Sequence, residues 1–159
     1  MSGIGHNLGP SLDGATGWRR HCWGQARAAL LPHLPIEVVR LRVRRAAELG
    51  LDYKTYAGVR ATTGRDLVAF LFSSNALDLR LSQPALGEGN RVALARMAGC
   101  DRIMLVQAPL SVDAVRASLP VMDALHPAPG LLAPHRVIRA DLRAALGSLP
   151  ADAVLLVGA

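Results

Sequence analysis

Apolar positions follow two regimes along the chain. Before residue 66 they recur at three- and four-residue spacing, the period of an amphipathic helix. Trp18, Cys22, Ala26, Ala29 and Leu30 predict a first helix over 18–33, with Trp18 and Trp23 as its core anchors, before Pro32 and Pro35 break the chain. Ile36, Val39, Val43, Ala46, Ala47 and Leu49 form the stripe of a second helix over 36–49. Pro35 precedes it, Glu37 suits the positive end of its dipole, and Gly50 is placed to end it. Asp52 then caps a third helix over 53–62, stopped by Gly64.

Beyond residue 65 the apolar residues gather into short runs. The run 67–72 has strand length, and 77–81 alternates leucine with charge. With 73–76 between them, the pair predicts a hairpin turning near Ser74 and Asn75, although a run apolar on both faces also suits a buried central strand. Further on, the pattern predicts a helix over 90–98, a strand over 102–107, a helix over 111–125, a short strand at 137–138, a helix over 141–146 and a last strand over 153–157. The expected fold is therefore α/β, with N-terminal helices followed by a small mixed or parallel sheet and flanking helices. It divides into a leader (1–17), a basic helical part (18–65) and an α/β part (66–159), and the last two also fit one continuous domain.

A length of 159 residues fits one domain, and 51% hydrophobic against 19% charged residues excludes a disordered chain. The longest apolar runs fall far short of the roughly 20 residues of a membrane span, so no membrane partner is expected. The first ten residues lack the basic and apolar regions of a secretory signal, which makes the cytoplasm the expected location. Cys22 and Cys100 are too few for a disulfide framework and read as small buried apolar residues. The net charge of +6 is unevenly placed: residues 1–65 hold ten basic and four acidic side chains, residues 66–159 eight of each. This points to an anionic partner for the first part. The leader Gly3-Ile4-Gly5-His6-Asn7-Leu8-Gly9-Pro10 resembles a G-I-G-H-N-x-G-P leader of assorted bacterial proteins, some phage-related or DNA-handling. That likeness implies no activity.

Residues 45–60 resemble a helix-turn-helix. Ala46, Gly50 and Tyr56 occupy the offsets where that family has a small residue at the helix crossing, a glycine at the turn and an apolar residue locking the second helix. Tyr56 departs from the usual β-branched aliphatic. The resemblance implies DNA binding, with Tyr53, Lys54, Thr55 and Arg60 facing the major groove and Arg40, Arg44 and Arg45 contacting phosphates. Adding the 67–81 hairpin gives an order that resembles a winged helix, with 73–76 as the wing tip. A regulatory or phage-related accessory protein is the expectation, although an arginine-bearing helix face is also what a solvated surface looks like.

The α/β part offers a second reading. Open α/β sheets bind ligands outside the C-terminal ends of their strands, here marked by Ser73, Ser74, Asn75 and Gln107. An anionic ligand there would make the chain a small enzyme or ligand-binding domain. Gly87-Glu88-Gly89-Asn90 opens a helix but matches no phosphate loop, and Glu88 would repel a phosphate. No nucleophile elbow and no metal-ligand spacing occurs, so no catalytic residue, metal or cofactor is assigned. A third reading is an interaction module: the proline-rich 125–134 loop, tipped by Leu131 and Leu132, would join an edge strand at 77–81 in a homodimer surface.

Overall fold

The structure is a computed structural model and describes residues 17–19, 21–23, 25–26 and 34–158. The chain divides into two compact units, residues 1–39 and 40–159. In the first, residues 17–19, 21–23 and 25–26 are helical, in line with the start of the 18–33 reading, whose positions 20, 24 and 27–33 lie outside the described residues. Their side chains correct it: Trp18 and Trp23 are 70% and 74% exposed, and Cys22 is exposed too, so none is a core anchor. Trp18 stacks on His21, with ring centroids 5.9 Å apart. The leader, Gly17 apart, lies outside the described residues.

Helix α1 spans Ile36–Glu48 and α2 spans Tyr53–Thr63. The turn between them follows from Gly50, whose φ of +70° is costly for a residue with a Cβ. It lets the Gly50 and Leu51 amides donate back to the carbonyls of Ala47 and Ala46 (3.1 and 2.9 Å), closing α1 as a Schellman motif. The Asp52 carboxylate accepts from the Thr55 amide at 3.0 Å and caps α2. Gly64, at φ +72°, ends α2 by donating to the Arg60 carbonyl. Each of these stops stands where the sequence put it.

Four strands follow: β1 (Ala69–Ser73), β2 (Asp101–Val106), β3 (Ala124–Pro127) and β4 (Val154–Val157). They form one fully parallel sheet in the order β3-β2-β1-β4, with Phe72 opposite Met104 on one side and Val157 on the other. The connecting helices are α3 (Glu88–Arg96), α4 (Val112–Arg116) and α5 (His135–Leu146). The chain winds from β1 through β2 to β3, then returns past β1 to β4. Right-handed crossovers require this reversal to place α5 on the opposite face from α3 and α4.

Packing agrees. Because successive strand residues alternate faces, Phe70, Phe72, Met104 and Val106 meet Leu94 of α3 and Val115 of α4, together with Ala46, Leu49 and Tyr56 of the helix pair. Ala69, Leu71, Ile103 and Leu105 meet Ala145, Leu142 and Leu146 of α5. The fold is thus α/β, and the α1–α2 pair shares one core with the sheet from residue 46 onward.

Four expectations are overturned. The 67–81 hairpin and its wing are absent, because β1 is a central strand buried on both faces and pairs in parallel with β2 and β4. The 77–81 alternation is loop: Asn75–Leu77 form a 3-10 turn, Asp78 adopts a left-handed φ of +57°, and Leu77 and Leu79 are buried as anchors. The 111–125 helix stops at Arg116, short of Pro120, and the chain re-enters the sheet as β3. Residues 137–138, read as a strand, lie inside α5. No helix of the described residues is long and apolar enough to cross a membrane.

Candidate functional site

The ends of β1 and β2 are joined by buried serine chemistry. The Ser74 amide donates to the Leu105 carbonyl at 2.9 Å, extending the ladder by one bond, while its Oγ accepts from the Gln107 amide at 3.0 Å. Ser74 is fully buried, so the two loops leave the sheet at a fixed separation. The Ser73 Oγ accepts from the Asn75 amide at 3.3 Å. The carbonyls of Ser74 and Asn75 then take the amides of Leu77, Leu79 and Asp78. These backbone donors are occupied within the loop, so it forms no phosphate-cradling nest of the kind a glycine-rich loop provides. Ligand contacts here fall to side chains.

Those side chains converge. Asn75 Nδ2 donates to Gln107 Oε1 across 32 positions of sequence, leaving the side-chain Asn75 Oδ1 and Gln107 Nε2 as an adjacent acceptor and donor. Beside them opens a cleft of about 420 Å³ walled by Leu79, Leu81, Pro109 and Leu110, with Arg80 and Ser82 at its rim. The Ala108–Pro109 peptide is cis. Paired backbone bonds between Arg80 and Gln83 (3.1 and 3.0 Å) fold the rim into a tight turn. Arg80 also borders a second hollow of about 380 Å³ with Asp78, Gln83 and Asn90. Its guanidinium meets Asp78 at 3.3 Å, both side chains being largely exposed. Such a surface pair is worth no more than about 1 kcal/mol, so an incoming anion can take its place.

The four residues named for a strand-end ligand therefore come together, Ser73 and Ser74 as buried supports and Asn75 and Gln107 at the cleft. Arg80 and Ser82 were not singled out in the sequence, because Arg80 belongs to a stretch that alternates like a strand and Ser82 directly follows it. The one available signal was Pro109, a turn residue directly past a strand end. The start of α3 supplies no anion site: Glu88 occupies its first turn and holds Arg91 at 2.7 Å.

The residues named for DNA separate into two groups. Arg40, Arg44, Lys54 and Thr55 are exposed and Tyr53 is half-buried. Arg45 and Arg60 are engaged inside the fold. Arg45 Nε meets Asp66 at 3.2 Å, Nη1 meets Glu48 and the Ala98 carbonyl at 3.2 Å, and Nη2 donates to the carbonyls of Leu67 (3.0 Å) and Gly99 (2.9 Å). The Tyr56 ring is buried in the core while its hydroxyl donates to Asp66 at 2.7 Å, and Arg60 approaches both, at 3.2 Å from that hydroxyl and 3.5 Å from Asp66. Burial opposes the charge on Asp66, but the Tyr56 hydrogen bond and the Arg45 charge outweigh it and hold the carboxyl below its ordinary range. Burial and the bond to Asp66 push the Tyr56 hydroxyl up. Tyr56 therefore ties α2 to the 64–67 turn, a role that the aliphatic residue usual in helix-turn-helix proteins has no hydroxyl to perform.

Among the described residues, no three His, Cys, Asp or Glu side chains gather as a metal site requires. No protein-family model, curated protein or solved structure matches the chain.

Proposed function

We propose that the chain is a small α/β ligand-binding domain that holds an anionic small molecule at the C-terminal ends of β1 and β2. The observation that carries this reading is the convergence of Asn75 and Gln107 at the mouth of a cleft whose volume falls in the usual range of small-molecule sites, roughly 300–1,000 Å³. The amide pair offers one donor and one acceptor for orientation, the leucines and Pro109 offer an apolar wall, and Arg80 offers the charge. The cleft lies outside the C-terminal ends of its strands, as ligand sites in open α/β sheets do, and stands on the β2 side of β1 rather than at the β1/β4 reversal.

Amide NMR shifts of isotope-labelled protein, titrated separately with inorganic phosphate, AMP and succinate, test it. At least one probe is expected to give saturable shifts centred on Asn75, Arg80, Ser82 and Gln107. Arg80→Gln should weaken that probe on the order of tenfold, the loss of one charge-assisted bond. Absence of saturable shifts there with all three probes at millimolar concentration refutes the assignment.

DNA binding by the α1–α2 pair is a second reading, favoured by the Schellman turn at Gly50 together with the exposure of Arg44, Lys54 and Thr55. It predicts a mobility shift on random duplex DNA that weakens steeply with salt and is lost in Arg44→Glu/Lys54→Glu. No shift at micromolar protein would dispose of it.

A further inference from the structure

The loop between β3 and α5 ends in a tight turn in which the Ala133 amide donates to the Gly130 carbonyl at 2.9 Å. The two residues at its corner are Leu131 and Leu132, 97% and 95% exposed. Most of the other large apolar side chains on this surface keep at least a third of their area covered, whereas these two have almost none. Directly after the turn, α5 carries Arg136, Arg139 and Arg143, which fall on one side of the helix at intervals of three and four residues. All three are exposed, and none makes an ion pair or a side-chain hydrogen bond with a described residue. Asp141, the one carboxylate on α5, is two residues from Arg139 and from Arg143 and so lies across the helix from them.

We infer that this face docks on an anionic lipid surface, with Leu131 and Leu132 entering the acyl boundary and the three arginines meeting the headgroups. Two features select that partner. A pair of leucines on a convex turn fits a medium that yields around it, and polybasic side chains beside an apolar anchor are the combination that holds proteins to anionic leaflets without a span. A second copy of the chain laid on the same face would oppose a second set of the same arginines, and like charges across an interface are repulsive. A nucleic acid would use the arginines, but its phosphates offer nothing to a leucine pair on a turn. The inference is independent of the strand-end cleft, since the turn and α5 contribute no side chain to it.

Sedimentation of the full chain with unilamellar vesicles tests it, using phosphatidylcholine with and without phosphatidylserine. Binding is expected only with phosphatidylserine and should fall as salt is raised. Leu131→Ser/Leu132→Ser should weaken it on the order of tenfold per leucine, and Arg136→Gln/Arg139→Gln/Arg143→Gln on the order of fivefold per arginine. The leucines make no packing contact to lose, so the first variant stays folded, which its thermal melt checks. No binding to phosphatidylserine vesicles, or binding unchanged in the leucine variant, overturns the inference. It is equally overturned if a short duplex DNA binds more tightly than the vesicles, with a loss in the arginine variant and none in the leucine variant.

Discussion

Replacing Arg45 by methionine separates a structural arginine from a binding one. The substitution keeps the aliphatic stem and removes a guanidinium whose side chain is one-fifth exposed and which reaches two carboxylates and three carbonyls. The Glu48 pair is half in solvent and contributes a few tenths of a kcal/mol at most. The bonds to the Leu67 and Gly99 carbonyls are worth about 1 kcal/mol each, since water can reach part of the vacated site. Asp66 loses its first partner but keeps Tyr56 and Arg60, so the pair adds about 1 kcal/mol more rather than the full cost of an orphaned buried charge. The expected destabilisation is about 3 kcal/mol, which at a urea slope near 1.5 kcal/mol/M moves the unfolding midpoint down by about 2 M with the slope unchanged. Arg44→Met, one position away, exposed and without a described partner, should stay within about 0.3 M of the parent. A midpoint for Arg45→Met that matches that of Arg44→Met would refute this reasoning and return Arg45 to the list of partner contacts.

Three further outcomes follow from the same geometry. Gly99→Ala should cost roughly 1–3 kcal/mol in a thermal melt, because the residue sits at φ +66° and its new Cβ would lie 2.8 Å from Arg45 Nη1; an unchanged melt would refute both the backbone strain and the fixed place of Arg45. Ser74→Ala removes the acceptor of the Gln107 amide and should cost about 1–3 kcal/mol, with faster hydrogen exchange at Gln107 as the local readout. Acid should destabilise the fold through Asp66 and Asp123, the latter held below the usual carboxyl range by the Arg102 hydrogen bonds against the opposing effect of burial. Their folded pKa values lie below the unfolded ones, so this stability is fully present above the unfolded carboxyl value of about 3.9 and is lost as pH falls through the lower folded values. The urea midpoint should therefore drop between pH 6 and pH 3, and drop less in Asp123→Asn; equal drops would remove Asp123 from the account.

Punctuation and apolar runs were legible in the sequence. Gly50, Asp52 and Gly64 announce their turns and caps because each requirement is local, a positive φ or a side-chain acceptor within three residues. Strands β2 and β4 read correctly because buried parallel strands are continuous apolar runs. Strand β3 did not: its four residues end in a proline tolerated only because β3 is a sheet edge, a fact of topology that the local pattern does not carry. The 77–81 alternation misled because Leu77 and Leu79 are buried by a loop folding over the core, which gives the period of a strand without its pairing. At the cleft, Ser73, Ser74, Asn75 and Gln107 were accessible through the strand-end rule, whereas Arg80 and Ser82 reach it through the Arg80–Gln83 turn, which no local signal marked.

Charge shows most clearly why a linear reading of this chain needs its fold. Divided at residue 65, the sequence places the whole basic excess in the first part and calls the rest neutral. Folding carries partners across that line: Asp66 takes Arg45 and Arg60, and Asp152 takes Arg65 at 2.7 Å. Two of the carboxylates that balanced the second part on paper thus pair with the first, and some arginines of the second part have no ion pair among the described residues. Arg136, Arg139 and Arg143 are the clearest case, three cations on one side of α5 with no ion pair among the described residues, in a segment whose net charge is zero. An anion approaching this molecule responds to charge that remains after pairing. A segment-by-segment count passes over that face because it sums charge along the chain and not over the folded surface.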